Sequence, residues 1–152
     1  MAESSTKKFS LKQENLIANT LGWSRVAGSG SRINHPGDVQ SDAWVGECKT
    51  HVTPGHPIIF KFDVWDKIEN EATSQFKQPV LFVDDGSQTL ANTWCMVDIT
   101  SITTPQDVTT DLSSRKSYRV DTSVPIHEFC RGKHRYCIIQ FNSFQMLLEG
   151  SM

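Results

Sequence analysis

Apolar residues recur at intervals of three and four in two stretches of the chain, which is the spacing of one face of an α-helix. The first stretch predicts a helix over about residues 11–21, and Ser10 and Gln13 stand at its start in the spacing of a capping box. The second stretch predicts an amphipathic helix over about residues 63–76. Each helix therefore has an apolar stripe to bury against other elements.

Shorter apolar runs bounded by turn-forming residues predict strands. In chain order these strands cover residues 23–27, 38–40, 43–50, 79–83, 94–99 and 136–141. The run at 79–83 is apolar throughout, as is typical of a strand buried on both faces. Residues 100–121 are rich in Ser, Thr and Asp and are predicted to form an irregular excursion. The element order up to residue 99 is therefore α-β-β-β-α-β-β, which predicts an α/β protein.

Size and composition are those of a single globular domain, with 152 residues, 38% hydrophobic and 21% charged. We expect one domain over residues 1–152, with a polar N-terminal tail (about 1–9) and an unassigned C-terminal extension (about 100–152). No apolar run approaches the roughly 18 residues of a membrane span, and the tail lacks a secretion signal. A cytoplasmic location without a membrane partner is expected, and the four cysteines are interpreted as reduced thiols.

One acidic residue interrupts the apolar stripe of the first predicted helix. Counting 100° per residue, Glu14 falls in the middle of the face formed by Leu11, Ile17 and Leu21. Because burying an unpaired charge is costly, a carboxylate at such a position is expected to meet a cation, a metal ion or a polar cleft.

A second group of candidate residues lies on the predicted strand 43–50 and just before it. Alternation along a strand places Glu47 and Lys49 on one face and Cys48 on the other. If Asp38 opens the preceding strand of a hairpin, its carboxylate reaches the same face and completes an oxygen site for a hard cation such as Mg²⁺. The alternative is an ordinary ion pair between Glu47 and Lys49 on an exposed strand, worth about 1 kcal/mol or less.

The order of these motifs resembles that of the PD-(D/E)XK nuclease superfamily and, within it, archaeal and phage Holliday junction resolvases. The resemblance covers roughly residues 12–83 and implies a restriction-endonuclease-like core of order α-β-β-β-α-β, with a central mixed β-sheet flanked by helices. The chain departs from many members in that Gly37 separates Pro36 from the acidic residue. The matching motifs are Glu14, Gly28-Ser29-Gly30, Gly37-Asp38-Val39, Gly46-Glu47-Cys48-Lys49 and the apolar strand Gln78–Val83.

The resemblance implies a Mg²⁺-dependent endonuclease acting on branched DNA, in which Mn²⁺ is expected to substitute. It also implies a homodimer, because opposite strands of a four-way junction must be cut, and a cytoplasmic location (the host cytoplasm for a phage-encoded protein). The implied metal ligands are Asp38, Glu47 and the main-chain carbonyl of Cys48, with Glu14 in support and Lys49 serving the attacking water. The resemblance implies that Ser29 contacts the DNA backbone, and the uneven placement of cations along the chain adds Arg25 and Arg32 as candidate DNA contacts.

Two other functions remain open at this stage. The same core could cleave duplex or flapped DNA in restriction or replication. A non-catalytic DNA-binding module stabilised by zinc is a hypothesis of a different class, since two imidazoles and two thiols at close spacing suit tetrahedral Zn²⁺. Its ligands would be His127, Cys130, His134 and Cys137. We interpret His51 and His56 as loop residues.

Overall fold

The computed structural model describes residues 5–26, 37–100 and 110–150, with side chains from residue 10 onward. Its three α-helices are α1 (Ser5–Leu21), α2 (Phe62–Ser74) and α3 (Phe141–Leu148). A short 3₁₀ helix covers Leu90–Asn92. The strands are β1 (Ser24–Arg25), β2 (Val39–Gln40), β3 (Trp44–Lys49), β4 (Ile59–Lys61), β5 (Gln78–Asp84), β6 (Thr93–Asp98), β7 (Ser117–Arg119), β8 (Ile126–Arg131) and β9 (His134–Gln140).

Seven of these strands form one mixed sheet in the order β1-β2-β3-β5-β6-β9-β8, and β4 pairs with β7 in a separate two-stranded sheet. Within the large sheet β3 and β5 are parallel, and every other neighbouring pair is antiparallel. Parallel neighbours need a crossover connection, and α2 supplies it between β3 and β5. The predicted α/β class with a mixed central sheet is therefore confirmed.

Helices cover both faces of this sheet. On one face α2 packs Trp65 and Ile68 against Leu81 of β5. On the other face Ile17 of α1 and Phe144 of α3 belong to a second apolar cluster, which also contains Phe82 of β5. Because successive residues of β5 serve opposite clusters, this strand is buried on both faces, as its continuous apolar run predicts.

The first helix begins earlier than its apolar periodicity predicts. It starts at Ser5, so part of the predicted tail is helical, and Ser10 and Gln13 lie inside the helix and do not cap it. The predicted end is correct. Gly22 adopts φ 72° and the N–H of Trp23 donates to the carbonyl of Ala18 at 2.9 Å, which is the bond of a Schellman motif.

The C-terminal third adds to the same sheet. The predicted strand at 136–141 is found as β9, which pairs with β6 and β8. The elements β4, β7, β8 and α3 were not predicted. Within the predicted excursion, residues 117–119 form β7, and residues 101–109 lie outside the described part of the chain.

Two further expectations from the sequence concern the state of the cysteines and membrane-spanning segments. All four cysteines are free, and Cys48, Cys95 and Cys137 are buried. Across the described ranges, none of the helices combines the length and the apolar character that crossing a bilayer requires.

Replacing Gly37 with Ala is expected to destabilise the hairpin that holds the predicted site. Gly37 has φ 77°, and an added Cβ would lie 2.8 Å from the carbonyl oxygen of Gly46 and 2.9 Å from Cδ1 of Ile68. The left-handed backbone costs about 1–2 kcal/mol for a residue with a Cβ, and overpacking adds about 1–3 kcal/mol.

Gly55→Ala is the matched control, because Gly55 has φ 86° and no atom within 4 Å of an added Cβ. Denaturant unfolding should show a loss of stability for Gly37→Ala that exceeds the loss for Gly55→Ala. Equal losses in the two variants would show that the space around Gly37 is not restrictive.

Candidate active site

Asp38 lies immediately before β2 and is held against β3. Its N–H donates to the carbonyl oxygen of Gly46 at 2.8 Å, and its Oδ2 accepts a hydrogen bond from the N–H of Cys48 at 2.9 Å. These two bonds reach the residues on either side of Glu47. Asp38 is buried, so its carboxylate is fixed beside Glu47 in the arrangement that the assumed hairpin predicts.

Glu47 and Lys49 lie on one face of β3, as strand alternation predicts. The Lys49 Nζ is 3.3 Å from Oε2 of Glu47, and the lysine side chain is 52% exposed while the glutamate side chain is 17% exposed. Cys48 points to the other face, into the apolar cluster with Ile17. The lysine therefore reaches solvent beside a mostly buried carboxylate, which leaves it able to contact a bound substrate.

Glu14 approaches the same group from α1. It is buried, and its Oε1 has no hydrogen-bond partner among the described residues. Burial and the nearby charge of Asp38 raise the pKa of Glu14 to about 7, whereas Arg25 and Lys49 act to lower this pKa. An acid on the apolar stripe of α1 thus faces the other two acids, which explains its unusual position.

Electrostatic repulsion among the acids also shows at Glu47. Burial, followed by the charge of Asp38, raises the pKa of Glu47 to about 7, although Lys49 acts in the opposite direction. When carboxylates lie close together, the charge of each one disfavours ionisation of the others. A cation shared between them stabilises their ionised forms. The three acids and Lys49 therefore form an electrostatic unit with a place for a positive charge.

The donor atoms of this unit fit a hard divalent cation. Oxygen ligands, often one or two carboxylates with several waters, are the ligands that Mg²⁺ prefers. The Oε1 of Glu14 lacks a described partner, and Asp38 uses only Oδ2 in a described bond. In a β-strand the N–H and C=O of one residue point toward the same adjacent strand. The Cys48 carbonyl therefore faces the side on which its N–H donates to Asp38. Asp38, Glu47 and this carbonyl would hold the ion.

Gln13 is a positioning residue that sequence reasoning missed. Its side chain is buried, and Nε2 donates to the main-chain carbonyl of Lys49 at 2.7 Å. This bond ties α1 to the end of β3 that carries the lysine. The available signal was a polar residue next to Glu14 on a helix that packs against the sheet, but its spacing from Ser10 favoured the capping interpretation.

A cleft of about 400 Å³ opens beside Lys49 on the α2 side of the sheet. Its cationic and imidazole lining consists of Lys49, His51, His56 and Lys61. The rings of His51 and His56 stack with centroids 4.1 Å apart, and burial together with His56 lowers the pKa of His51. The histidines interpreted as loop residues therefore line the cleft that leads to the candidate site.

The predicted DNA contacts are described only in part. Arg25 lies exposed on β1, while Ser29 and Arg32 lie outside the described residues.

The small β4–β7 sheet brings cations near the cleft. Lys61 of β4 pairs with Ser117, and Ile59 pairs with Arg119 of β7. Arg131, by contrast, is engaged by both carboxylate oxygens of Asp66 at 3.0 and 3.4 Å.

The four residues of the predicted zinc module do not form one site. In the β8–β9 register His127 is opposite Ile138 and Cys137 is opposite Glu128, which puts His127 and Cys137 on opposite faces of the sheet. His127 is buried and bonded to the hydroxyl of Tyr118 at 2.7 Å. Its Nε2 lies near main-chain carbonyls. His134 instead pairs with Asp98 at 3.2 Å.

Comparisons of the chain with protein-family models, with curated proteins and with solved structures give no match. The interpretation of the site therefore rests on its own geometry and chemistry.

Proposed function

We propose that this protein is a Mg²⁺-dependent DNA endonuclease of the PD-(D/E)XK type that cleaves four-way junctions. The observation that carries the proposal is the placement of Asp38, which bonds to the residues on both sides of Glu47 while Lys49 Nζ stands 3.3 Å from the Glu47 carboxylate. Two acids and an amine converge on one hairpin, and these groups suffice to hold a metal ion and assist phosphodiester hydrolysis.

The three acids and Lys49 have separate roles in the proposed hydrolysis. When bound, Mg²⁺ supplies charge neutralisation at the scissile phosphate and lowers the pKa of a water ligand. Asp38 and Glu47 would hold the ion, and Glu14 would support them. Lys49, half-exposed at the mouth of the cleft, orients the attacking water and offsets the negative charge that develops on the phosphate. Water loses a proton as it adds to phosphorus, the bond to the 3′ oxygen breaks, and this oxygen takes up a proton, so the products are a 5′-phosphate and a 3′-hydroxyl.

The restriction-endonuclease-like form of the core belongs to the same proposal. Its support is the antiparallel run β1-β2-β3 followed by the crossover helix α2 and the parallel strand β5. Asp38 lies immediately before β2 and Glu47 lies on β3, and α1 adds Glu14 from the opposite face. The short β4 between β3 and α2 is an addition that pairs with β7 and leaves the large sheet unchanged.

The cleft beside Lys49 suits the sugar-phosphate backbone of DNA. Cations and imidazoles line it, and Ile59 of the same lining pairs with Arg119, the one basic residue of β7. Phosphate contacts of this kind position a nucleic acid without reading its sequence, which suits an enzyme that recognises branched structure. Cutting opposite strands of a junction requires two such sites, so we propose a symmetric homodimer.

A panel of labelled substrates tests the activity and the substrate together. Four-way junction, flap, linear duplex and single-stranded DNA are incubated with Mg²⁺, with Mn²⁺ or with a chelator. We expect paired, symmetric nicks with 5′-phosphate ends on the junction and no cutting with the chelator.

Each other outcome has a defined meaning. Preferential cutting of duplex or flapped DNA would replace the resolvase assignment with a restriction-like or replication-linked nuclease. A lack of cutting on every substrate with both metals would refute the nuclease. Sedimentation of a monomer, both alone and with junction DNA, would refute the dimeric resolvase.

A further inference from the structure

A compact group of potential metal ligands lies away from the candidate active site. Glu69 of α2, Asp98 of β6 and His134 of β9 each present one ligand atom, and these three atoms lie within 4.8 Å of one another. The group is the only one of this compactness that the described residues contain. Three elements distant in sequence contribute to it, so the cluster is created by the tertiary fold.

The hydrogen bonds of the cluster leave coordinating capacity free. Asp98 is anchored by the N–H of Thr100, which donates to Oδ1 at 2.8 Å, while Oδ2 lies 3.2 Å from Nδ1 of His134. The carboxylate of Glu69 faces the imidazole and the second acid. The arrangement thus holds two carboxylates, one of them anchored by the N–H of Thr100, and one imidazole around a common point.

Open space adjoins the same three side chains. Glu69, Asp98 and His134 line a cavity of about 670 Å³ together with Asn70 and Thr73 of α2. Such a cavity gives an ion an entry path and leaves room for water molecules in the remaining coordination positions. Phe76 stands at its rim with 97% of its surface exposed.

This cluster is separate from the acids of the candidate nuclease site. Glu47 pairs with Leu81 of β5 and Lys49 pairs with Val83, toward the C-terminal end of that strand. Leu81 also pairs with Met96, and β6 runs antiparallel to β5, so Asp98 lies toward the N-terminal end of β5. The candidate nuclease site therefore lies toward the C-terminal end of β5, whereas the cluster of Glu69, Asp98 and His134 lies toward its N-terminal end.

We infer that Glu69, Asp98 and His134 form a second metal site, which takes a divalent transition cation of the Zn²⁺ class. An imidazole nitrogen with two carboxylates suits such ions, whereas Mg²⁺ and Ca²⁺ prefer oxygen ligands alone. Three protein ligands with an open fourth position are the arrangement of an accessible zinc site. The bound ion would join α2 to the paired strands β6 and β9, independently of any nuclease activity.

Zinc titration of the metal-stripped, full-length protein tests this site. Isothermal titration calorimetry with ZnCl₂ should give one ion per chain. Glu69→Gln, Asp98→Asn and His134→Gln should each weaken binding by at least about 10-fold, since even second-shell changes cost about 10- to 100-fold in metal affinity. Glu71→Gln, an equivalent change on α2 outside the cluster, and Asp38→Asn should both bind as the unchanged protein does.

A second measurement needs no variant of the ligands. The imidazole NMR signals of His134 should shift on addition of one equivalent of Zn²⁺, while those of buried His127 should not. Absence of binding, or unchanged binding in the three ligand variants, would overturn the proposal. Loss of the ion in Cys130→Ser with retention in Glu69→Gln would also overturn it and place the ion on thiolates.

Discussion

Asp38→Asn is expected to lower the rate of Mg²⁺-dependent DNA cleavage by at least about 10²–10³-fold, the loss that follows removal of one preorganised electrostatic group. The change removes a negative charge from the proposed metal site and keeps the shape of the side chain. The amide oxygen can still accept the hydrogen bond that Oδ2 now accepts from the N–H of Cys48, so the hairpin should stay folded. Single-turnover cleavage of labelled junction DNA measures the loss.

DNA binding separates a catalytic role from a structural one. Because the proposed role of the carboxylate is to bind the metal and not the DNA, Asp38→Asn should bind junction DNA with nearly unchanged affinity in a gel-shift assay. Asp42→Asn is the matched control, since Asp42 is an exposed acid in the turn between β2 and β3. Full cleavage by Asp38→Asn, or an equal loss in Asp42→Asn, would remove Asp38 from the site.

The Mg²⁺ concentration needed for half-maximal cleavage is expected to rise about tenfold per pH unit below about 7 for each proton that binding displaces, and so up to about 100-fold when two carboxylates must ionise. The pKa of Glu14 and the pKa of Glu47 are both raised to about 7, first by burial and then by the charge of Asp38. Metal binding requires the ionised carboxylates, so protons compete with the ion as the pH falls. Cleavage measured across Mg²⁺ concentrations at several pH values tests this dependence.

The stability of the metal-free protein should depend on pH through the same two carboxylates, those of Glu14 and Glu47. Both pKa values rise from an ordinary 4.5 to about 7 on folding, so the folded state binds these protons more tightly than the unfolded chain. Their contribution to the free energy of unfolding is therefore fully present below about pH 4.5 and is lost as the pH rises through about 7. Added Mg²⁺ should offset the loss above pH 7, because it binds the folded state.

Thermal unfolding with and without Mg²⁺ at a series of pH values measures this linkage. The rise in Tm caused by Mg²⁺ should grow as the pH increases from about 5.5 to about 8. Glu47→Gln should reduce both the pH dependence and the effect of Mg²⁺, whereas Asp42→Asn should change neither. An increase in Tm with Mg²⁺ that is the same at every pH would contradict the assignment of these carboxylates to the metal.

Local periodicity in the sequence determined the parts of the site that one element supplies. Alternation along β3 placed Glu47 and Lys49 on one face, and the 100° step along α1 placed Glu14 among apolar positions. The apolar run of β5 predicted burial on both faces, which the structure confirms. These results follow from backbone geometry, because the direction of a side chain within a regular helix or strand depends on its own position in that element.

Only the tertiary structure decided which elements meet. Gln13 reaches the carbonyl of Lys49 because α1 packs against β3, and Glu69, Asp98 and His134 converge because the side chain of Glu69 on α2 reaches the residues of β6 and β9. The close spacing of His127 and Cys137 left a zinc site open as an alternative, but the register of β8 and β9 puts these two residues on opposite faces. Such contacts depend on the pairing of strands far apart in the chain, and no local pattern of hydrophobic and polar residues encodes that pairing.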